Sequence, residues 1–183
     1  MRITLLNGEP DPGSDFQARL DEVASRLVAQ GHELTRLELR DLDLKGCSGC
    51  WGCWVKTPGA CVKGDASAGI CRAVLMADLL VAASPVRMGF TSALLKGALD
   101  QMIALVHPYF VMEGGEVHHR RRYRAYPALA VLLGQGPGCD AEDLEITGDI
   151  WRRLARNLKF RAVTVVRAES ATEEVADGLT AVA

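Results

Sequence analysis

The chain predicts an α/β protein, with one parallel sheet covered by helices on both faces. Three observations carry this. Apolar runs of strand length alternate with segments of helical periodicity along the whole chain. The run at residues 79–83 is apolar at every position, as a strand buried on both faces must be. Neither a repeat nor a linker-like stretch interrupts the sequence, so one domain over residues 1–183 is expected.

The elements follow in order. Residues 3–6 read as a short buried strand closed by Asn7-Gly8. Phe16, Leu20, Val23, Leu27 and Val28 recur at helical spacing, and Gly31 ends that helix. Residues 34–39 alternate apolar and polar positions as a strand does, and 40–63 read as irregular loop. A helix over about 65–77 turns Ile70, Val74 and Leu75 inward. The strand at 79–83 is expected to stop at Ser84-Pro85, because proline fixes its φ and restricts its neighbour. A helix from about Ser92 to Val106 ends at His107-Pro108, and an irregular basic segment follows. Strand 128–133, helix 141–158 and strand 162–166 complete the alternation, and the tail from Ser170 is weakly helical. Ligands of such sheets bind beyond the carboxyl ends of the strands. Three unusual loops leave those ends, at 7–15, 84–91 and 134–138.

Composition excludes some functions. A net charge of −2 with 24% charged residues gives no global drive towards nucleic acid or an anionic membrane. No apolar segment approaches the ~20 residues of a membrane helix, and the amino terminus lacks a leader pattern. A cytoplasmic location is expected, where thiols stay reduced.

Four of the six cysteines form the array Cys47-Ser-Gly-Cys50-Trp-Gly-Cys53 with Cys61 beyond. Closely spaced thiolates are the ligands that soft metals and iron–sulfur clusters select. Zinc fits less well, since its sites pair two separated Cys-x-x-Cys knuckles. The competing reading is a reduced loop whose cysteines pack beside Trp51 and Trp54 as small hydrophobes. Cys71 and Cys139 lie outside the array and carry no expected role.

The segment Ser84-Pro85-Val86-Arg87-Met88-Gly89-Phe90-Thr91, followed by Ser92, Lys96 and Asp100, resembles the flavin loop of NAD(P)H-dependent FMN reductases. The cysteine loop resembles that of iron–sulfur flavoproteins in the same superfamily. The similarity runs through most of residues 1–160. It implies a flavodoxin-like three-layer sandwich with a five-stranded parallel sheet in the order 2-1-3-4-5. It also implies bound FMN, NAD(P)H as co-substrate, a small-molecule electron acceptor, and a homodimer or homotetramer. On this resemblance the flavin is expected at Asn7, Gly8, Gly13 and Ser14, at residues 84–91 as quoted, and at Gly134, Gln135 and Gly136. A [4Fe-4S] cluster on Cys47, Cys50, Cys53 and Cys61 is the iron–sulfur alternative, making the chain an electron-transfer protein.

The residues themselves allow a parallel reading. Gly89 permits close approach of a flat ring to backbone, Met88 and Phe90 can pack on it, and Thr91 or Ser92 can cap the next helix. The first loop departs from the family, which carries Ser, Thr or Arg after the position of Gly8. Here Glu9, Asp11 and Asp15 stand near the expected phosphate, and Pro10 and Pro12 offer no amide. Gly13, Ser14 and the following helix terminus could still bind an anion. A third reading is therefore a flavodoxin-like binding module that has lost FMN. The basic run through His118, His119 and Arg120 to Arg124 reads as surface or interface, with the extra phosphate of NADPH as its functional alternative. Lys96 and Asp100, at i and i+4, are expected to form a structural ion pair. No side-chain nucleophile is expected, because in flavin chemistry the cofactor carries the reaction.

Overall fold

The computed structural model describes residues 1–183. Its main sheet uses strands β1 (Arg2–Asn7), β2 (Glu33–Glu38), β3 (Leu79–Arg87), β7 (Ala128–Gln135) and β8 (Val163–Arg167). They are all parallel and lie in the order β2-β1-β3-β7-β8, which is the expected 2-1-3-4-5 arrangement. Side chains alternate across this sheet and build two cores. Leu80, Ala82, Leu129, Val131 and Leu133 pack against helices α3 (Ser67–Met76), α4 (Ala93–Gln101) and α5 (Ala141–Asn157). Leu79, Val81, Ala83, Ala130 and Leu132 face the other way, onto α1 (Asp15–Ala29) and α6 (Thr172–Thr180). No helix is long and apolar enough to cross a membrane.

The structure corrects the expected end of the third strand. β3 runs through Ser84 and Pro85 to Arg87. Strand β1 stops pairing at Asn7 opposite Ala83, so beyond that point β3 has a parallel partner, β7, on one side only. A proline is tolerated where one side of a strand needs no ladder bond. The chain then reverses at Met88-Gly89 into β4 (Phe90–Thr91), which pairs antiparallel with Val86 and Arg87. Both turn residues have positive φ, +52° and +74°, the requirement of a type I′ hairpin turn.

The helix expected to reach Val106 ends at Gln101 and tightens into a 3-10 turn over Met102–Leu105. Side chains from elsewhere satisfy the carbonyls released there. Trp54 Nε1 donates to Ile103 O and Val106 O, and the Tyr126 hydroxyl donates to Leu105 O. The segment expected to be irregular is a hairpin of β5 (Val106–Glu113) and β6 (Glu116–Arg121). The loop between residues 40 and 63 also contains a short helix, α2 (Gly52–Val55).

Candidate functional site

Beyond the carboxyl ends of β1, β3, β7 and β8 lies an open cleft of about 680 Å³. Its walls come from Glu9 to Phe16 after β1, from Pro85 and Arg87 of β3, from Gln135 to Pro137 after β7, and from Glu169 after β8. The three sequence-predicted loops thus converge here.

The floor is built from backbone that excludes side chains. A Cβ on Gly136 would stand 2.2 Å from Val86 O, and one on Gly134 would stand 2.3 Å from the Phe16 ring. Gly136 N–H also donates to Val86 O at 3.1 Å, tying the β7 exit to the hairpin. Gln135 N–H donates to Glu169 Oε1 at 2.6 Å, which fixes the far wall. Ser84 is buried and works as a clamp. Its Oγ accepts from Ser92 N–H at 2.8 Å, while Ser92 caps α4 and its hydroxyl donates to Gly8 O. Gly8 has no room for a Cβ, with Leu95 Cβ at 2.8 Å and Ser92 Oγ at 2.9 Å.

The first loop is closed on itself. Asn7 is fully buried; its Nδ2 donates to Gln17 Oε1 and Glu38 Oε2, and its Oδ1 accepts from Glu9 N–H at 2.9 Å. Glu9 Oε1 accepts from Asp11 N–H, and Asp11 Oδ1 accepts from Gly13 N–H, each at 2.9 Å. Arg40 Nη1 holds the carbonyl of Glu9 at 3.1 Å and Gln17 Oε1 at 2.9 Å. Every amide from Glu9 to Gly13 is therefore either missing, in proline, or already bonded to this chain. Ser14 is the N-cap of α1, its Oγ accepting from Gln17 N–H at 3.0 Å. Charge on the walls is unbalanced. Glu9, Asp15 and Glu169 face one guanidinium, Arg87, whose Nη2 is 3.5 Å from Glu9 Oε1.

Of the predicted site residues, Gly13, Ser14, Pro85, Arg87, Gln135 and Gly136 line the cleft. Asn7, Gly8, Ser84 and Val86 are buried beneath it. Met88 is fully exposed at the hairpin tip and Thr91 Oγ1 is buried without a partner. Glu9, Asp15 and Pro137, which lie in the predicted loops without being named as flavin contacts, also line the cleft, as do Phe16 and Glu169, which fall outside those loops. The signal for Glu169 was its position just past the fifth strand, where the carboxyl-end rule already applied.

The cysteines form a second locality. Cys47, Cys50, Cys53 and Cys61 line one small cavity of about 40 Å³ with Trp51, Lys63 and Ile103. Cys61 does reach back to the other three. No set of three or more His, Cys, Asp or Glu side chains is arranged to hold a metal ion, however. Trp51 stacks on Trp54 with ring centroids 4.9 Å apart. The Gly52 amide pulls the exposed Cys50 thiol down, while burial pushes Cys53 up and drives Cys71 up to about 12. Asp65 staples this loop in place: Oδ2 accepts from Lys45 N–H and Gln101 Nε2, and Oδ1 from Ser67. Burial works to raise its carboxyl, but those hydrogen bonds prevail and hold it well below the usual range.

The basic run does not line the cleft. Arg122 donates to Val106 O at 3.2 Å, Arg121 sits 6.0 Å over the Tyr126 ring, and His118 pairs with Glu116 at 3.1 Å. Lys96 and Asp100 form the expected i,i+4 pair at 2.6 Å on the surface.

A family model described as NADPH-dependent FMN reductase matches residues 1–144. No curated protein sequence matches the chain. Among solved structures, an NAD(P)H:quinone oxidoreductase from Methanothermobacter marburgensis is 18% identical with a TM-score of 0.65, covering 96% of this chain and 91% of its own. An FMN-dependent NADH-azoreductase from Bacillus anthracis, in complex with FMN, is 13% identical with a TM-score of 0.64, over 97% and 93% of the two chains. An apo NADH:FMN oxidoreductase is 18% identical with a TM-score of 0.59, over 98% and 82%. At these identities the structures share the fold.

Proposed function

We infer the reaction from a premise of kinship: the chain belongs to the NADPH-dependent FMN reductase family and is an NAD(P)H-dependent FMN oxidoreductase. Within that class, we propose that electrons pass to a small planar acceptor, a quinone or a second flavin. When bound, the flavin supplies the hydride and electron chemistry. The protein's own residues bind, orient and shield.

The ring end of the cleft fits such a group. Gly136 lines the cleft, and because its Cβ would strike Val86 O only glycine lets the β7 exit lie directly against β3 there. Pro85 and Arg87 of β3 and the Gln135–Pro137 exit line the same cleft. Pro85, Arg87 and Gly136 would hold the ring from these two sides. The tail end fits less well, since the first loop presents no unbonded amide from Glu9 to Gly13 and Glu9 stands in its wall.

The observation that carries the reading is the glycine-floored corner between β3–β4 and the end of β7. An open cleft also suits an acceptor that enters after the nicotinamide has left. Self-association as a homodimer or homotetramer belongs to the same reading. The exposed Tyr109, Phe110 and Met112 of the β5–β6 hairpin support it. The test is anaerobic: protein loaded with FMN is mixed with NADPH or NADH, and loss of the flavin's visible absorbance is followed. A quinone is then added. Reduction by the nicotinamide and reoxidation by the quinone are expected; flavin that stays oxidised would overturn the reading.

A further inference from the structure

The buried carboxylate of Glu9 is the least satisfied polar group in the molecule's first loop. Its side chain is 1% exposed, yet it lines the cleft. Oε1 accepts the Asp11 amide at 2.9 Å and stands 3.5 Å from Arg87 Nη2. Oε2 is buried with no hydrogen-bond partner at all. An orphaned buried carboxylate oxygen is costly unless a donor completes it.

Those contacts are what an anion from outside would make: a loop amide, a guanidinium, and a position beside the N-terminus of α1. Glu9 already makes the first two. A phosphate arriving at this end would meet a fixed negative charge, with Asp15 and Glu169 further along the wall. A tail that ends in a neutral hydroxyl would meet no such repulsion. The two chemistries are therefore separated at one residue.

We propose that Glu9 determines specificity for the tail of the flavin, standing in for an anion so that a phosphorylated tail gains nothing. Riboflavin, whose tail carries no phosphate, binds at least as tightly as FMN. This rests on the flavin reading above.

The test is a pair of fluorescence titrations, riboflavin and FMN, on the wild-type protein and on Glu9→Gln. Glutamine keeps an acceptor for the Asp11 amide and offers an N–H where Oε2 now stands. In the wild type, riboflavin is expected to bind as tightly as FMN or more so. In Glu9→Gln, FMN is expected to tighten by about tenfold, the order expected when one buried like charge beside the site is removed. Riboflavin should move by less than that. The wild-type ratio needs no variant, so a poorly folding Glu9→Gln leaves the proposal exposed to refutation. FMN bound tenfold more tightly than riboflavin by the wild type would overturn it. So would an FMN affinity that Glu9→Gln leaves unchanged. Binding of neither flavin would overturn the flavin reading itself, and with it this proposal.

Discussion

Gly136→Ala gives the sharpest test of the cleft floor. The added Cβ would lie 2.2 Å from Val86 O and 3.2 Å from Val86 C, both backbone atoms that no rotamer change can move. The chain must shift, and the bond from Gly136 N–H to Val86 O stretches with it. Overpacking of this kind costs about 1–3 kcal/mol, and a lost hydrogen bond adds about 1. For a chain of this size, each kcal/mol lowers Tm by roughly 2–4 °C, so a fall of about 4–16 °C is expected. Gly13→Ala is the internal control. Its Cβ meets only Asp11 Oδ1, at an ordinary 3.5 Å, so its Tm should stay within a degree or two, the effect of about 0.5 kcal/mol or less. Thermal unfolding followed by circular dichroism measures both, and a flavin titration at 20 °C measures what the shift does to the site. Gly136→Ala should weaken flavin binding along with Tm. Equal melting temperatures for the two variants would refute the argument that bare backbone at Gly136 is required by packing.

Three further outcomes follow from the same geometry. Gly89→Val should weaken flavin affinity about tenfold, because a branched residue at φ +74° costs on the order of 1–2 kcal/mol in the hairpin turn; the nearest obstacle, Asp143 Oδ1 at 3.4 Å, adds little, so unchanged affinity would remove the hairpin from the site. Asp65→Asn should destabilise the protein near neutral pH by about 1 kcal/mol. Its folded carboxyl lies below the unfolded value of about 3.9, so this contribution is fully present above that pH and is lost as pH falls through the folded value; the Tm gap between wild type and variant should narrow below about pH 4, and a constant gap would exclude the charge as its source. After anaerobic reconstitution the chain should retain no stoichiometric iron; alanine at the half-buried Cys53 or Cys61 should cost about 1 kcal/mol, and at the exposed Cys47 or Cys50 about 0.5 kcal/mol or less, with flavin content unchanged in all four. About four irons per chain, lost in every variant, would replace that outcome with the electron-transfer alternative.

Much of the fold was legible because its signals were local. Five strands and four of the helices announced themselves through apolar period and length, and the resemblance supplied their order. What escaped depended on partners far along the chain. Ser84-Pro85 reads locally as a strand end, and only the early stop of β1 opposite Ala83 explains why β3 runs on to Arg87. The helix beginning at Ser92 was overextended because its last carbonyls are taken by Trp54 and Tyr126, from segments on either side of it in sequence. The β5–β6 hairpin is different, since its turn was in plain view. Gly114-Gly115, with φ of +59° and +81°, joins two strands, but the Arg and His residues of the second run carry no strand-like alternation of apolar and polar positions.

The cleft shows the same division, and it bears on how the site should be understood. Its glycines and its hairpin lie in segments whose composition was unusual enough to mark them as a site. The meaning of Glu9 was not readable in that way. As a residue type in a turn it suggested a solvated charge repelling a phosphate from the outside. In the structure it is buried, bonded to the Asp11 amide and part of the cleft wall, so its charge stands at the subsite itself. Removing Asp11, the exposed carboxylate of the same loop, should therefore change FMN affinity little beyond a salt-sensitive screening effect. Removing Glu9 should change it at high and low salt alike, because a buried charge is poorly screened. Titrations of Asp11→Asn and Glu9→Gln with FMN at two ionic strengths separate the two positions. Equal, salt-dependent gains from both would mean that Glu9 acts only as part of a diffuse acidic surface.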